Sequence, residues 1–334
     1  MTPRKLKVVR ALFVFLLITV FAAAACSSSD DALTVYSGRS ETLVGPLIER
    51  FEAETGIEVS VRYAGSTELA ATLAEEGSNS PADVFFAQDP ASLGLVAFEG
   101  LLAPLPADIR SQVPPRFSDS EGQWVGTSGR ARVLVISTEA SAEPPNTVQG
   151  LVLDEWSGRL GVAPSNGSFL AFVAAMILID GEESTKDWLD NIAANDPVRF
   201  ESNSPIVAAT ADGTIDGGLV NHYYLRRLQA EEGEVAAENW FFSGGPGALV
   251  MPAGAGILAS SSRTEDAAAF IAFLLSAESQ AYFVEETFEF PMVSGIVGPD
   301  GPQLEDINSP ALDLSKLASV LDLATDLVAE AGLL

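Results

Sequence analysis

Two adjacent tyrosines, Tyr223 and Tyr224, are the side chains in this sequence best suited to unusual chemistry. They follow the apolar run 217–221 and precede a segment, 225–232, with helical character. Successive side chains diverge on a regular strand or helix, but at a strand-to-helix junction both phenols can turn into one cleft. A phenol titrates at about 10 in water, so ionised phenols at neutral pH need a strong Lewis acid, for which ferric iron is the common biological candidate. The alternative is that both rings pack in the core with their hydroxyls hydrogen-bonded.

A second group of polar residues is suited to a small anion. Asn166, Gly167 and Ser168 follow an apolar run and open an apolar helix, so backbone N–H groups of its first turn are available to an anion. Arg130, just before the β-rich run 132–137, adds a fixed positive charge. Ferric iron held by two phenolates keeps one positive charge, which a bound carbonate or phosphate can neutralise. The alternative for this segment is an ordinary helix cap at Asn166.

Several catalytic and metal-binding classes are excluded by what the sequence lacks. His222 is the only histidine, which excludes a histidine-rich zinc site and an HExxH protease. No GxxxxGK[ST] or GxGxxG motif occurs, and a single cysteine, Cys26, cannot form a disulfide within the chain. An exported hydrolase would need a serine beside His222, and no motif selects one. We therefore expect a binding protein and not an enzyme.

The N-terminal residues have the composition of an export signal. A basic start is followed by the apolar run 11–25 and then by Cys26, and this run is shorter than the roughly 18 residues of a membrane-spanning helix. The pattern predicts a lipoprotein signal over 1–26 with a lipidated Cys26, and a polar tether over 27–32. We expect an exported cell-envelope lipoprotein, in the periplasm or on the outer face of the cytoplasmic membrane.

The overall charge excludes one class of partner. The 334 residues include 18 basic and 46 acidic side chains, a formal net charge of −28. Such an acidic chain is not expected to bind nucleic acid. Negative charge concentrates cations, but it also keeps an exported protein soluble, so it does not identify the ligand.

Strand and helix patterns alternate along the chain, which predicts an α/β fold of mainly parallel sheets flanked by helices. The length favours two lobes: the first part of lobe 1 over 33–133, lobe 2 over 134–243, and a return to lobe 1 with C-terminal helices over 244–334. In such folds, ligands bind outside the carboxyl ends of the strands, in a crevice. The polar residues that follow strands are therefore the candidates for function.

The order of several short motifs resembles the ferric-ion-binding proteins of ABC importers, also called bacterial transferrins. The motifs are YSGR at 36–39, PADVFF at 81–86, SGRARVLV at 128–135, SNGS at 165–168 and NHYY at 221–224. The resemblance covers nearly the whole chain after the signal. It implies a two-lobed periplasmic-binding-protein fold of type II, with lobes that are joined by hinge strands and close on the ligand. It also implies capture of ferric iron with a carbonate-like synergistic anion, and delivery to a membrane permease driven by an ATPase. We expect a monomer.

The functional residues of this family fall on particular positions here. The adjacent iron-binding tyrosines correspond to Tyr223 and Tyr224. The site for the synergistic anion, which is carbonate, bicarbonate or phosphate, corresponds to Arg130, Asn166, Gly167 and Ser168, with Ser165 and Asn203 as nearby hydrogen-bond partners.

Two further ligands of the family are replaced in this chain. The histidine that some members place after the first strand corresponds to Ser40, and the glutamate after the PADVFF strand corresponds to Gln88. The resemblance then favours a subgroup in which tyrosines and anions supply most of the coordination, with Tyr36 as candidate third phenolate and Arg39 as candidate anion partner. Many members carry a tyrosine at the position of Tyr36 without using it as a ligand. His222 is expected to hydrogen-bond and not to bind the metal.

The replaced ligands leave a second function open on the same fold. A small organic anion or a phosphonate could be held by Arg130 and the helix start at Asn166, without iron. An exported hydrolase that uses His222 is a third hypothesis.

Overall fold

The structure is a computed structural model and describes residues 32–334. The predicted export signal, Cys26 and the tether up to residue 31 lie outside the described residues.

Eleven strands form the sheet of the described residues. They are β1 (Leu33–Ser37), β2 (Val59–Tyr63), β3 (Val84–Ala87), β4 (Leu102–Ala103), β5 (Trp124–Ser137), β6 (Leu160–Val162), β7 (Val198–Arg199), β8 (Gly217–Asn221), β9 (Ala237–Trp240), β10 (Val250–Leu258) and β11 (Phe290–Pro291).

The helices lie between these strands and after them. They are α1 (Glu41–Thr55), α2 (Ser66–Glu76), α3 (Pro90–Phe98), α4 (Ala107–Arg110), α5 (Gly167–Asp180), α6 (Glu182–Ala194), α7 (Asn203–Ala211), α8 (Tyr223–Glu232), α9 (Thr264–Leu274), α10 (Ala277–Glu286) and α11 (Leu321–Glu330).

The strand order is β2-β1-β3-β10-β5-β8-β6-β7. Outside this order, β4 pairs with β10, and β9 and β11 pair with β5. At one end β1 is parallel to β2 and β3, and at the other end β6 is parallel to β7 and β8. Between them, β10 and β5 run antiparallel to their neighbours. The parallel ends have the strand, helix, strand connections that the sequence predicts.

Strand β5 joins the two ends of the sheet. Its first part pairs with β10, from Trp124 to Ala131, and its second part pairs with β8, from Arg132 to Ile136. The strand is 14 residues long and every residue is buried. The predicted start of this strand after Arg130 was wrong, because Arg130 lies inside β5. The lobe boundary expected between residues 133 and 134 also falls within β5, and it stays a prediction.

Helix α1 illustrates how the sequence sets the local structure. Val44, Leu47, Ile48 and Phe51 recur at helical spacing and are buried. The helix ends at Gly56, whose φ of 73° lies in the left-handed region that favours glycine, and whose N–H donates to the carbonyl of Glu52. The sequence therefore sets both the buried face of this helix and its end at Gly56.

Helix length also bears on membrane insertion. Within residues 32–334, no single helix is both long enough and apolar enough to cross a bilayer. The helices α9 and α10 pass such a test only as a pair bent by 54°. Their residues Phe270, Ile271 and Phe283 are buried in the core, which accounts for their apolar composition.

Candidate metal and anion site

Tyr223 and Tyr224 begin α8 directly after β8 ends at Asn221, with His222 between the two elements. Their rings stack, with centroids 4.4 Å apart and an interplanar angle of 28°. Tyr223 is 4% exposed, and Tyr224 is half-buried. The structure thus brings both phenols together at the strand-to-helix junction.

Both tyrosines line a cavity of about 350 Å³. Residues predicted for the anion site or the pocket lie in the same walls: Gln88, Arg130, Asn166, Gly167 and Ser168. The other lining residues are Thr67, Asp89, Ala91, Leu170, Ala171, Asn221, Met251 and Leu321. A larger, mainly apolar cavity of about 710 Å³ lies along the segment 291–298 and contains none of the predicted residues.

The surroundings of Tyr223 oppose its ionisation. Burial raises the pKa of its phenol above the usual range, the neighbouring Tyr224 raises it further, and Arg130 acts in the opposite direction. The guanidinium of Arg227 lies 4.6 Å from the centroid of the Tyr223 ring and 5.9 Å from that of Tyr224. A Tyr223 phenolate therefore needs a strong cation in the cavity.

The start of α5 forms the second part of the site. The Oδ1 of Asn166 accepts hydrogen bonds from the Ser168 N–H at 3.0 Å and from the Ser168 hydroxyl at 2.7 Å. The Nδ2 of Asn203, which begins α7, lies 3.3 Å from that Oδ1 and 3.2 Å from the Ser168 Oγ. Asn166 is thus a helix cap, as one interpretation predicted. An anion here would accept hydrogen bonds from the Gly167 N–H and the Ser168 hydroxyl. Alternatively, it would replace the Asn166 Oδ1 as the acceptor of the Ser168 hydrogen bonds.

Arg130 reaches the cavity from the middle of β5 and is 6% exposed. Its Nη2 donates to the carbonyl of Gln88 and lies 3.5 Å from the carbonyl of Pro252. The N–H of Gln88 in turn donates to the Ser66 hydroxyl at 2.8 Å. Backbone carbonyls therefore hold this guanidinium at the cavity wall. Gln88 acts through its backbone in this arrangement.

Arg132 is a residue at this site that the sequence analysis did not single out. It is 1% exposed, and its Nη1 lies 3.4 Å from the Ser168 Oγ. Burial lowers the pKa of its guanidinium to about 9, and ionised Tyr224 and Tyr223 would act in the opposite direction. The spacing could have identified it, because alternate residues of a strand share one face and Arg132 is two residues after Arg130.

Asp89 and Asn221 also line the cavity without having been predicted. The Asp89 carboxylate caps α3, accepting from the Ser92 N–H at 2.8 Å and from the Ser92 hydroxyl at 3.1 Å. Asn221 is 2% exposed, and its Oδ1 has no hydrogen-bond partner within residues 32–334. Asn221 belongs to the NHYY motif, and its place at the end of β8 is the signal that could have identified it.

The structure does not bring Tyr36, Ser40 or Ser165 into the cavity lining. The Tyr36 hydroxyl lies 3.0 Å from the Glu76 carboxylate and 3.4 Å from the Arg62 guanidinium. Coordination of iron by Tyr36 would require it to leave both partners. Ser40 and Ser165 are exposed.

Arg39, the candidate anion partner, is occupied elsewhere. Its guanidinium forms two hydrogen bonds with the Glu289 carboxylate, at 3.0 and 2.9 Å, and both side chains are buried. Burial alone would raise the pKa of Glu289, but Arg39 and Arg130 outweigh it and the pKa is lowered. In this structure Arg39 neutralises a carboxylate.

His222 is 2% exposed and does not line the cavity. Its Nδ1 accepts a hydrogen bond from the Ala131 N–H at 3.2 Å, and its ring stacks on Phe290 at 4.5 Å. Burial lowers its pKa to about 4. No serine hydroxyl of the described residues hydrogen-bonds to it, so the geometry that the hydrolase hypothesis requires is not found in this part of the chain.

The fold and the cavity define a solute-binding protein of the two-lobed, type II periplasmic class, and solved structures with this architecture match it. The chain belongs to the family of bacterial extracellular solute-binding proteins, whose model matches residues 46–306. The predicted family resemblance is thereby confirmed.

Two relatives and one solved structure indicate the branch of this family. The chain is 33% identical over 318 residues to the Fe(3+)-binding periplasmic protein of Serratia marcescens, covering 93% of each chain. It is 32% identical over 324 residues to the major ferric iron-binding protein of Neisseria meningitidis serogroup B, covering 93% of this chain and 97% of that one. Iron-bound HitA from Pseudomonas aeruginosa superposes with a TM-score of 0.82 at 33% identity, covering 90% of this chain and 99% of that one.

Proposed function

We propose that this protein is the solute-binding component of an iron importer and captures ferric iron together with a small anion. The observation that carries the proposal is the pair of stacked phenols, Tyr223 and Tyr224, on the wall of a 350 Å³ cavity. The names of the relatives from Serratia marcescens and Neisseria meningitidis support the same cargo. Iron is the cargo of this protein, and no covalent chemistry is required.

The two tyrosines supply the iron-binding oxygens. Ferric iron carries three positive charges, so two phenolates leave one, which a carbonate, bicarbonate or phosphate ion at Ser168 and Arg130 neutralises. Oxygen ligands suit this hard cation, and Asn221 in the cavity lining offers one more side-chain oxygen, its Oδ1, without changing this charge balance. Tyr36 remains a candidate third phenolate only if it leaves Glu76.

Iron binding is coupled to proton release. Because the pKa of Tyr223 is raised by burial, its phenol keeps the proton until iron arrives. Binding then displaces that proton, so the apparent affinity for iron increases as the pH rises. Acidification favours release for the same reason.

The expected partners follow from the family. Closure of the two lobes over the cavity excludes water and commits the iron, and opening at a membrane permease driven by an ATPase releases it. The protein acts outside the cytoplasm, as a monomer. Lipid attachment at Cys26 holds it to the membrane surface.

Native mass spectrometry of metal-stripped protein tests the cargo. With ferric citrate and bicarbonate, we expect one iron per chain, and no iron adduct in the double variant Tyr223→Phe with Tyr224→Phe. Tyr63→Phe, which removes a phenol that does not line the cavity, is the matched control and should keep the adduct. Wild-type protein that takes up no iron would contradict the proposal.

The alternative cargo is a small organic anion or a phosphonate, and Arg130 in the cavity wall favours it. In that case the same measurement with metal-free protein shows an organic adduct that survives both tyrosine substitutions and is lost in Arg130→Met.

A further inference from the structure

Arg132 lies directly behind the start of α5 and is held by three kinds of contact. Its Nη2 donates to the Leu219 carbonyl at 3.0 Å, and its Nη1 lies 3.4 Å from the Ser168 Oγ. The guanidinium also lies 5.2 Å from the ring centroid of Phe172 and 5.9 Å from that of Phe169. Ser168 lines the cavity, whereas Arg132 does not. Arg132 therefore reaches the site through Ser168.

The positive charge of Arg132 has no acidic partner near it. No carboxylate of the described residues lies within 4.0 Å of its guanidinium, and its Nε has no hydrogen-bond partner there. Arg39, equally buried, has the Glu289 carboxylate at 2.9 Å. A buried charge without a counter-ion is destabilising, so the structure around Arg132 gains from any negative charge that binds on the far side of Ser168.

Packing alone does not account for an arginine at this position. The aromatic rings of Phe169 and Phe172 would pack equally well on a methionine, and only the guanidinium carries charge and donates to Leu219 and Ser168. Arg130 and Arg132 together place two guanidinium groups on one face of β5, one in the cavity wall and one behind Ser168.

We infer that Arg132 is a positioning residue that makes the anion an obligatory companion of iron in this site. Its charge, together with its hold on Ser168, prepares the start of α5 for an anion, and the bound anion supplies the counter-charge that the buried guanidinium lacks. This inference rests on the proposed function, and it adds the reason why iron binds with an anion and not alone.

The test measures how iron uptake depends on bicarbonate. Iron uptake by metal-stripped protein is followed at increasing bicarbonate concentrations for the wild type, Arg132→Met and Arg132→Lys. Arg159→Met is the matched control, because it removes an arginine that is half-exposed, paired with Asp216 and absent from the cavity lining.

We expect Arg132→Met to need at least about tenfold more bicarbonate for half-maximal iron uptake, since a buried, hydrogen-bonded charge is lost. Arg132→Lys should need a bicarbonate concentration between those of the wild type and Arg132→Met, because it restores the charge without the second hydrogen bond. Arg159→Met should match the wild type. A folded Arg132→Met protein with the bicarbonate dependence of the wild type would overturn the inference.

A second measurement on the wild type keeps the inference testable if Arg132→Met does not fold. In metal-free protein with ¹⁵N-labelled arginine, phosphate or bicarbonate should shift the Nε–H resonance of Arg132 and leave that of Arg159 in place. An unchanged Arg132 resonance at saturating anion overturns the inference. Because this experiment contains no iron, it separates failure of the Arg132 role from failure of the iron proposal, which is seen as a wild type that takes up no iron at any bicarbonate concentration.

Discussion

Two segments of this molecule carry polar side chains at the end of a parallel strand, and only one of them lines the cavity. The segment 221–224 follows β8, and its Asn221, Tyr223 and Tyr224 line the cavity. The segment 36–40 ends β1, and none of its residues lines it. In the second segment, Tyr36 is paired with Glu76 and Arg39 with Glu289. Tyr36 and Arg39, the two candidate ligands of the second segment, are therefore held by acidic partners outside the cavity.

The largest loss of stability should come from breaking the ion pair between Arg39 of the second segment and Glu289. Arg39→Met leaves the Glu289 carboxylate buried without its ion pair, and the free energy of unfolding should fall by about 3–5 kcal/mol. Urea denaturation measures it. Arg50→Met is the control, because the Arg50–Glu278 pair is exposed, and it should change stability by less than about 1 kcal/mol. If Arg39→Met lowers the free energy of unfolding as little as Arg50→Met, the Arg39–Glu289 pair does not stabilise the fold as described.

His222, in the first segment, makes the stability of the folded protein depend on pH. Its pKa is about 4 in the folded protein and 6.5 without the fold, so below pH 6.5 the unfolded chain binds the additional proton. Stability is then complete above pH 6.5 and decreases as the pH falls towards 4, by roughly 3 kcal/mol in all. His222→Gln should flatten this part of the profile in urea denaturation at several pH values. A profile as steep as that of the wild type would contradict the buried, neutral histidine.

The tyrosines of the first segment should dominate iron affinity. Tyr223→Phe or Tyr224→Phe removes a phenolate oxygen, and the affinity for ferric iron should fall by more than about 100-fold, since even outer partners of metal ligands contribute 10- to 100-fold. Competition with citrate measures the affinity. Circular dichroism should show that both variants keep the fold, because each substitution keeps the ring.

The smallest effect is expected for the tyrosine of the second segment. Tyr36→Phe loses the hydrogen bonds of its hydroxyl with Glu76 and Arg62, both outside the cavity lining, so iron affinity should change by less than about threefold and stability by about 1 kcal/mol. A loss of affinity as large as that of Tyr223→Phe would show that Tyr36 leaves Glu76 and binds the metal.

Much of the fold could be predicted because hydrophobic spacing determines it locally. The sequence pattern predicts the buried face of α1 and its end at Gly56. It also predicts the strands β1, β3 and β8. The start of β5 could not be predicted, because Ser128, Gly129 and Arg130 do not have the composition of a buried strand. In the fold, pairing with β10 keeps these residues in the strand.

The site could be predicted only in part. Tyr223 and Tyr224 are adjacent in sequence and follow one strand, and Asn166, Gly167 and Ser168 follow another. Because both groups follow strands, their approach to one cavity could be predicted. The partners of Tyr36 and Arg39 were not, because Glu289 is 250 residues from Arg39 along the chain. Long-range pairing of this kind depends on the assembled fold. For Arg132 the spacing indicates which face of β5 it shares with Arg130, but its contacts with Ser168 and Leu219 cross between elements and depend on the assembled fold.

The central claim is that the two stacked phenols bind ferric iron, and the visible spectrum tests it most directly. Ferric citrate and bicarbonate are added to metal-stripped protein, for the wild type, Tyr223→Phe, Tyr224→Phe and Tyr36→Phe. We predict a broad phenolate-to-iron absorption band in the wild type and in Tyr36→Phe, and its loss in the other two variants. An unchanged spectrum in both Tyr223→Phe and Tyr224→Phe, or a wild type that stays colourless, would contradict the account.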